Sequence, residues 1–114
     1  MNNKDIQFDL LRKLESNPEY TQRKLSQEMG VSLGKINYCM KKLTAKGWVK
    51  LINFNNNPNK IGYAYFLTPH GIEEKTKLTF AFLKIKIKEY EMLKDEISKL
   101  KQDAIKLKLP KVLE

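Results

Sequence analysis

The sequence predicts a mainly α-helical chain carrying one small β-hairpin, an α+β class, and three observations support this. Apolar residues recur at helical spacing in four segments. Capping residues stand ahead of those segments, and two β-favouring runs surround an Asn/Pro cluster between the third and the fourth. At 114 residues the chain amounts to about one domain, with room for a modest core and little for a second.

In DIQFDLLRKLESNP, Ile6, Leu10, Leu11 and Leu14 share one helical face and Pro18 prevents continuation, giving a first helix. Thr21 can cap the next segment, TQRKLSQEMG, where Leu25 and Met29 lie four apart and Gly30 supplies the left-handed residue that ends it. Only Val31 and Ser32 then precede a third helix, in which Ser32 can cap and Leu33, Ile36, Met40 and Leu43 form the apolar stripe before Gly47. Two helices this close must cross steeply.

The texture then changes to WVKLINF, NNNPNK and IGYAYFLT, a hairpin around an Asn/Pro turn. Thr68 caps the last segment and Pro69 takes its first helical position. No Gly follows Gly71 and no Pro precedes Pro110, so one helix of roughly 38 residues, about 57 Å at 1.5 Å per residue, is expected. This divides the chain into a unit of three helices and a hairpin over 1–68, a long helix over 69–109 and a tail over 110–114.

The net charge of +9 is unevenly spread. Residues 1–31 carry five Lys/Arg and five acids, 32–67 carry six Lys and no acid, and 68–114 carry eleven Lys against eight acids. A basic middle third suits a phosphate backbone or an anionic membrane surface, both of which reward cation density with released counterions. Charge alone does not choose between them.

The order of elements does. Helix, tight Gly turn, capped helix and hairpin is the order of a winged helix-turn-helix, whose second helix enters the DNA major groove. Projected at 100 degrees per residue, Leu33, Ile36, Met40 and Leu43 point inward. Gly34, Lys35, Tyr38, Lys41 and Lys42 take the opposite side, with Asn37 on its edge. That face puts lysines near phosphates or guanine edges, Asn37 where an adenine edge is read, and Gly34 where bare backbone approaches closely. Ser32 stands at the start of this helix. Arg23 and Lys24, on the first turn of the preceding helix, face phosphate. Lys60, at the hairpin tip, lies along the backbone or enters a minor groove, unless the tip is only a flexible turn. A solvated lysine-rich face has the same charge pattern; the Gly30 turn and the hairpin favour DNA. Trp48 is expected to serve packing rather than base stacking.

In the last helix, with Leu83 at heptad position a, the a residues are Leu83, Tyr90, Ile97 and Ala104 and the d residues Lys86, Leu93, Leu100 and Leu107. Only Lys86 interrupts the seam, and Ile87 widens it. Positions g hold Glu89, Glu96 and Asp103, and positions e hold Lys94, Lys101 and Lys108. A parallel pair sets each acid against a partner lysine, whereas an antiparallel pair sets like charges together, so a parallel coiled-coil homodimer is expected. Leu78, Phe82 and Ile85 form a second stripe, expected to pack on the chain's own winged unit. The competing arrangement is a monomer whose helix folds back over the domain.

Residues for catalysis are not evident. The sequence holds no Gly-rich phosphate loop, nucleophile elbow or zinc spacing, so neither an enzyme nor a metal or cofactor is expected. Cys39 and His70 are each the sole residue of their type, fitting a small buried thiol and a surface imidazole. The polar N-terminus and the lack of a ~20-residue apolar run point to a cytoplasmic protein that does not cross a membrane.

GVSLGKINYC, KGWVK, YAYFLTPHGIEEK and EYEMLKDEI together resemble the small MarR-type regulators associated with bacterial exopolysaccharide gene clusters, over about Leu10 to Leu100. The resemblance implies a winged helix-turn-helix transcriptional regulator. Ser26 departs from the small Ala common in the second helix of such units. Larger MarR proteins dimerise through helices from both termini and often bind small phenolic ligands between them; this chain is too short for that layout, and no small-molecule ligand is expected. The expected function is a sequence-specific regulator that binds double-stranded DNA as a homodimer on an inverted repeat. The alternative is a coiled-coil interaction module whose basic surface is incidental.

Overall fold

Along the chain run α1 (Asn3–Ser16), α2 (Gln22–Met29), α3 (Leu33–Ala45), β1 (Val49–Asn57), β2 (Lys60–Leu67) and α4 (Pro69–Lys106). The computed structural model describes residues 2–57 and 60–107, with the side chains of 54–62 excepted. Its contacts divide the chain into two units, Met1–Thr79 and Phe80–Glu114.

In the first unit, α1 begins with a capping box: Asn2 accepts from the Asp5 amide at 2.9 Å, and the Asp5 carboxylate accepts from the Asn2 amide. Its inner face buries Ile6, Leu10, Leu11 and Leu14 against Leu25 of α2, Ile36, Met40 and Leu43 of α3, and Val49 of β1. Each such side chain removed from water contributes about 1.5–3 kcal/mol, so this cluster is the main source of stability in the unit.

The caps form where the sequence places them. Thr21 accepts from the Lys24 amide at 3.0 Å and Ser32 from the Lys35 amide at 3.1 Å. Gly30, at φ 64, closes α2 in the left-handed conformation that other residues adopt only with strain. The Ser26 hydroxyl donates to the Val31 carbonyl across this turn, a bond that an Ala at that position would not make.

One inward assignment on α3 is corrected. Leu33 is 44% exposed, and the fourth buried position is Cys39, beside Ile36, Met40 and Leu43. Leu33 is the first residue of the helix, at the edge of the contact. The buried arc is rotated toward Cys39, so the outer face turns with it.

The two strands pair antiparallel from Val49↔Leu67 to Asn57↔Lys60, with an irregularity between Asn55 and Asn57. The sequence assigns 55–60 to a turn, yet Asn55–Asn57 and Lys60 belong to the ladder. Ladder hydrogen bonds use backbone groups, so the weak β-propensity of Asn does not prevent them. The Tyr65 amide donates to the Pro18 carbonyl at 2.9 Å, fastening β2 to the loop between α1 and α2.

The start of α4 is clamped to the corner between α3 and β1. Thr68 accepts from the Gly71 amide at 3.0 Å, its hydroxyl donates to the Gly47 carbonyl, and its amide donates to the Trp48 carbonyl at 3.0 Å. Gly71 is required here: a Cβ would stand 1.9 Å from the Trp48 carbonyl oxygen. Lys75 pairs with Glu15 of α1 at 2.8 Å, and Leu78 packs against the core. Trp48 also packs there, as expected, and its ring meets that of His70 edge-on at 6.2 Å.

The second unit is the remainder of α4. Its apolar side chains from Leu83 to Leu107 are 42–76% exposed in the single chain. Ile85 belongs to this exposed set, and among the described residues of the unit Phe82 and Ala104 are half-buried. Lys86, the interruption in the heptad seam, pairs locally with Glu89 at 3.2 Å. Among the described residues no helix is long and apolar enough to cross a membrane.

Candidate nucleic-acid interface

The outer face of α3 is exposed and basic. Gly34, Tyr38, Lys41 and Lys42 are exposed, while Lys35 and Asn37 are half-buried on its flanks. Tyr38, 46% exposed, lies between two ammonium groups: Lys35 Nζ stands 5.5 Å and Lys42 Nζ 5.0 Å from its ring centroid. Cation–π attraction thus holds both lysines beside one flat side chain at the centre of the face. Hydrogen bonding to the Tyr38 hydroxyl first, and then electrostatic interaction with it, raise the Lys42 pKa above its ordinary value. Like any exposed lysine, Lys42 is charged throughout the neutral range.

Ser32 is exposed but spends its hydroxyl oxygen on the Lys35 amide, so its free polar group is the O–H donor. Arg23 and Lys24 are exposed in the first turn of α2, with Lys24 Nζ 5.9 Å from the Tyr20 ring centroid. Glu28, the one acid between residues 22 and 72, lies beside Tyr20. Partial burial first, and then the charge and hydrogen bond of Glu28, raise the Tyr20 pKa. The side chain of Lys60 lies outside the described residues.

Not every lysine of the middle third belongs to this face. Lys46 donates to Gln7 Oε1 at 3.2 Å and lies 4.6 Å from the Trp48 ring centroid, which ties its charge to the domain's own frame. Lys50, on β1, is exposed.

Gln22 carries no signal in the sequence that marks it as part of the site. It is the first residue of α2; its Nε2 donates to Tyr65 Oη at 3.1 Å and its Oε1 accepts from Asn37 Nδ2 at 3.2 Å. One half-buried side chain thus joins α2, α3 and β2. No sequence signal links three residues so far apart, and the polarity of Gln22 beside the capping Thr21 reads as ordinary helix surface. Among the described residues no group of His, Cys, Asp and Glu is arranged to hold a metal ion.

Residues 4–50 match the family model described as winged helix-turn-helix DNA-binding. No curated protein matches the sequence. Several solved structures share the fold. The protein smu.1704 of Streptococcus mutans superposes with a TM-score of 0.71 at 16% identity, covering 82% of this chain and 90% of that one. The transcriptional regulator BldR of Sulfolobus solfataricus gives a TM-score of 0.64 at 21% identity, over 90% of this chain and 71% of that one. FabT of Streptococcus pneumoniae, solved in complex with DNA, gives 0.53 at 17% identity, over 89% and 75%. At these identities the likeness is one of fold: the chain has a winged helix-turn-helix fold, and the stretch from α1 to the start of β1 is the part that matches the family model.

Proposed function

We propose that the protein is a transcriptional regulator that binds double-stranded DNA as a parallel homodimer, reading an inverted repeat with α3 in the major groove. The observation that carries this reading is the outer face of α3. Tyr38, Lys41 and Lys42 stand exposed on it, with Lys35 and Asn37 at its flanks, and no acid occurs between residues 29 and 72. In this reading the lysines and Arg23 take phosphates, Ser32 and Gly34 lie where the start of α3 meets the backbone, Asn37 reads a base edge, and Lys60 follows the duplex from the wing. Likeness in fold to a protein solved on DNA supports the placement.

The exposed stripe of α4, Leu83, Ile87, Tyr90, Leu93, Ile97, Leu100 and Leu107 with the half-buried Ala104, is the seam of the dimer. Acids at g and lysines at e favour parallel pairing, each exposed pair by a few tenths of a kcal/mol, and the apolar seam drives association. A two-fold axis sets half-sites about one helical turn apart, or a multiple of it. The resemblance to regulators linked with exopolysaccharide clusters makes sugar-polymer genes the first place to look for targets, and a palindrome near the gene's own start the first candidate operator. The working location is the cytoplasm, with the chromosome.

Selection of duplexes from a random library with the full-length protein tests the reading. An enriched inverted repeat is the expected result; enrichment of no sequence would overturn it. Light scattering beside a DNA shift assay addresses the alternative interaction module, which requires a coil formed with another protein and no DNA shift.

A further inference from the structure

We infer that Gln22 is a positioning residue for base reading: it holds the Asn37 amide in the orientation that matches adenine. The inference rests on the DNA-binding reading above and adds a determinant from outside the reading helix.

A side-chain amide offers one carbonyl acceptor and two N–H donors. In the structure Asn37 gives one N–H to Gln22 Oε1 at 3.2 Å. What remains to Asn37 is its carbonyl and its second N–H, the acceptor and donor pair that complements N6 and N7 of adenine. Without that bond the amide would rotate about its terminal torsion and offer the pair to a base edge only part of the time. One hydrogen bond therefore fixes the plane in which Asn37 presents its acceptor and donor.

Gln22 is well placed to hold the Asn37 amide in that plane. Its backbone is fixed as the first residue of α2 behind the Thr21 cap, and its Nε2 is occupied by Tyr65 Oη at 3.1 Å. Tyr65 is itself anchored, since its amide donates to the Pro18 carbonyl at 2.9 Å. Gln22, Asn37 and Tyr65 are all half-buried, where an unmade hydrogen bond costs more than it does in open water. Asn37 lies on the flank of the reading face nearest this anchor and has no freedom to turn its amide without breaking the contact.

The test compares the wild type with Asn37→Ala, Gln22→Ala and Gln22→Glu on the selected duplex and on its single-base-pair variants, at one salt concentration, with thermal melts as a folding control. Asn37→Ala identifies the base pair read, where preference for adenine falls about tenfold. Gln22→Ala is expected to lose the same preference by a similar factor while binding the already mismatched duplexes as the wild type does. Gln22→Glu can only accept, so it imposes the observed direction at Asn37; it is expected to keep the adenine preference while binding every duplex more weakly through its charge. Should Gln22→Ala fail to fold, Gln22→Glu decides alone. Retention of the full preference in Gln22→Ala, a uniform weakening on all duplexes, or loss of preference in Gln22→Glu overturns the inference. So does an Asn37→Ala protein with unchanged base preference. Each of those results leaves the regulator reading standing, whereas a wild type with no preference removes both.

Discussion

Two helices of this chain carry apolar stripes of similar quality and meet opposite fates. In α1 the stripe Ile6, Leu10, Leu11 and Leu14 is at most 2% exposed; in α4 the residues from Leu83 to Leu107 are 42–76% exposed in the single chain. The periodicity of a sequence instructs a face to leave water without saying what will cover it. For α1 the cover lies within the same chain, in α2, α3 and β1. For α4 the heptad spacing of 3.5, in place of the broader stripe of a core helix, is what points to a second copy.

The sharpest way to break that comparison is to place a charge in the α4 seam. Ile97→Asp should turn a dimer into single chains in sedimentation, while leaving the winged unit folded by circular dichroism. DNA affinity should fall by roughly 10²–10⁴, the factor lost when two linked half-site contacts become one. An Ile97→Asp protein that still sediments as the wild type would show that the stripe is not the seam.

The next effect is on the buried side of the comparison. Leu14→Ala removes a side chain that is 0% exposed, and should cost about 3 kcal/mol in urea unfolding at fixed protein concentration. Gly71→Ala should cost about 2 kcal/mol, because its methyl meets the Trp48 carbonyl, a backbone atom that cannot move aside alone. A loss well below 1 kcal/mol for Gly71→Ala would mean that the corner between β1 and α4 is looser than its hydrogen bonds imply.

These two substitutions also separate what the sequence reveals from what it hides. Helix ends were legible because caps are local: Thr21, Ser32 and Thr68 each accept from an amide three residues on, and Gly30 adopts positive φ where a helix must stop. The exposed basic face of α3 was legible for the same reason, from spacing within one helix. Leu33 departs from the projection because a projection treats a first-turn residue like an interior one, whereas its burial depends on how far the neighbouring element reaches. The demand for Gly at 71, the capture of Lys46 by Gln7 and Trp48, and the Gln22 junction arise between segments distant in sequence, and none leaves a periodic trace.

On the reading face, Lys41→Ala should weaken binding to all duplexes alike and reduce the slope of log affinity against log salt by about 1, as expected for one lost phosphate contact. Lys46→Ala supplies the contrast. Its ammonium is engaged within the domain, so the salt slope should change far less while thermal stability falls. Equal changes in slope for the two would place Lys46 on the DNA after all.

The smallest expected effect concerns Tyr38 and Lys42. The tyrosine raises the Lys42 pKa above its ordinary 10.5, through their hydrogen bond first. A group whose folded pKa is raised contributes its full stabilisation below the unfolded value and loses it only as pH climbs through the folded one. Lys42 should therefore remain charged, and DNA affinity should show no step assignable to it between about pH 6 and 9. Tyr38→Phe keeps the ring between Lys35 and Lys42 but removes the hydroxyl. At pH 7 its affinity should stay within about threefold of the wild type, since both lysines remain charged and the ring remains in place to hold them. Tyr38→Ala, which removes the ring as well, should weaken binding further. If Tyr38→Phe instead loses as much as Tyr38→Ala, the hydroxyl itself contacts DNA and the ring is not what organises the face.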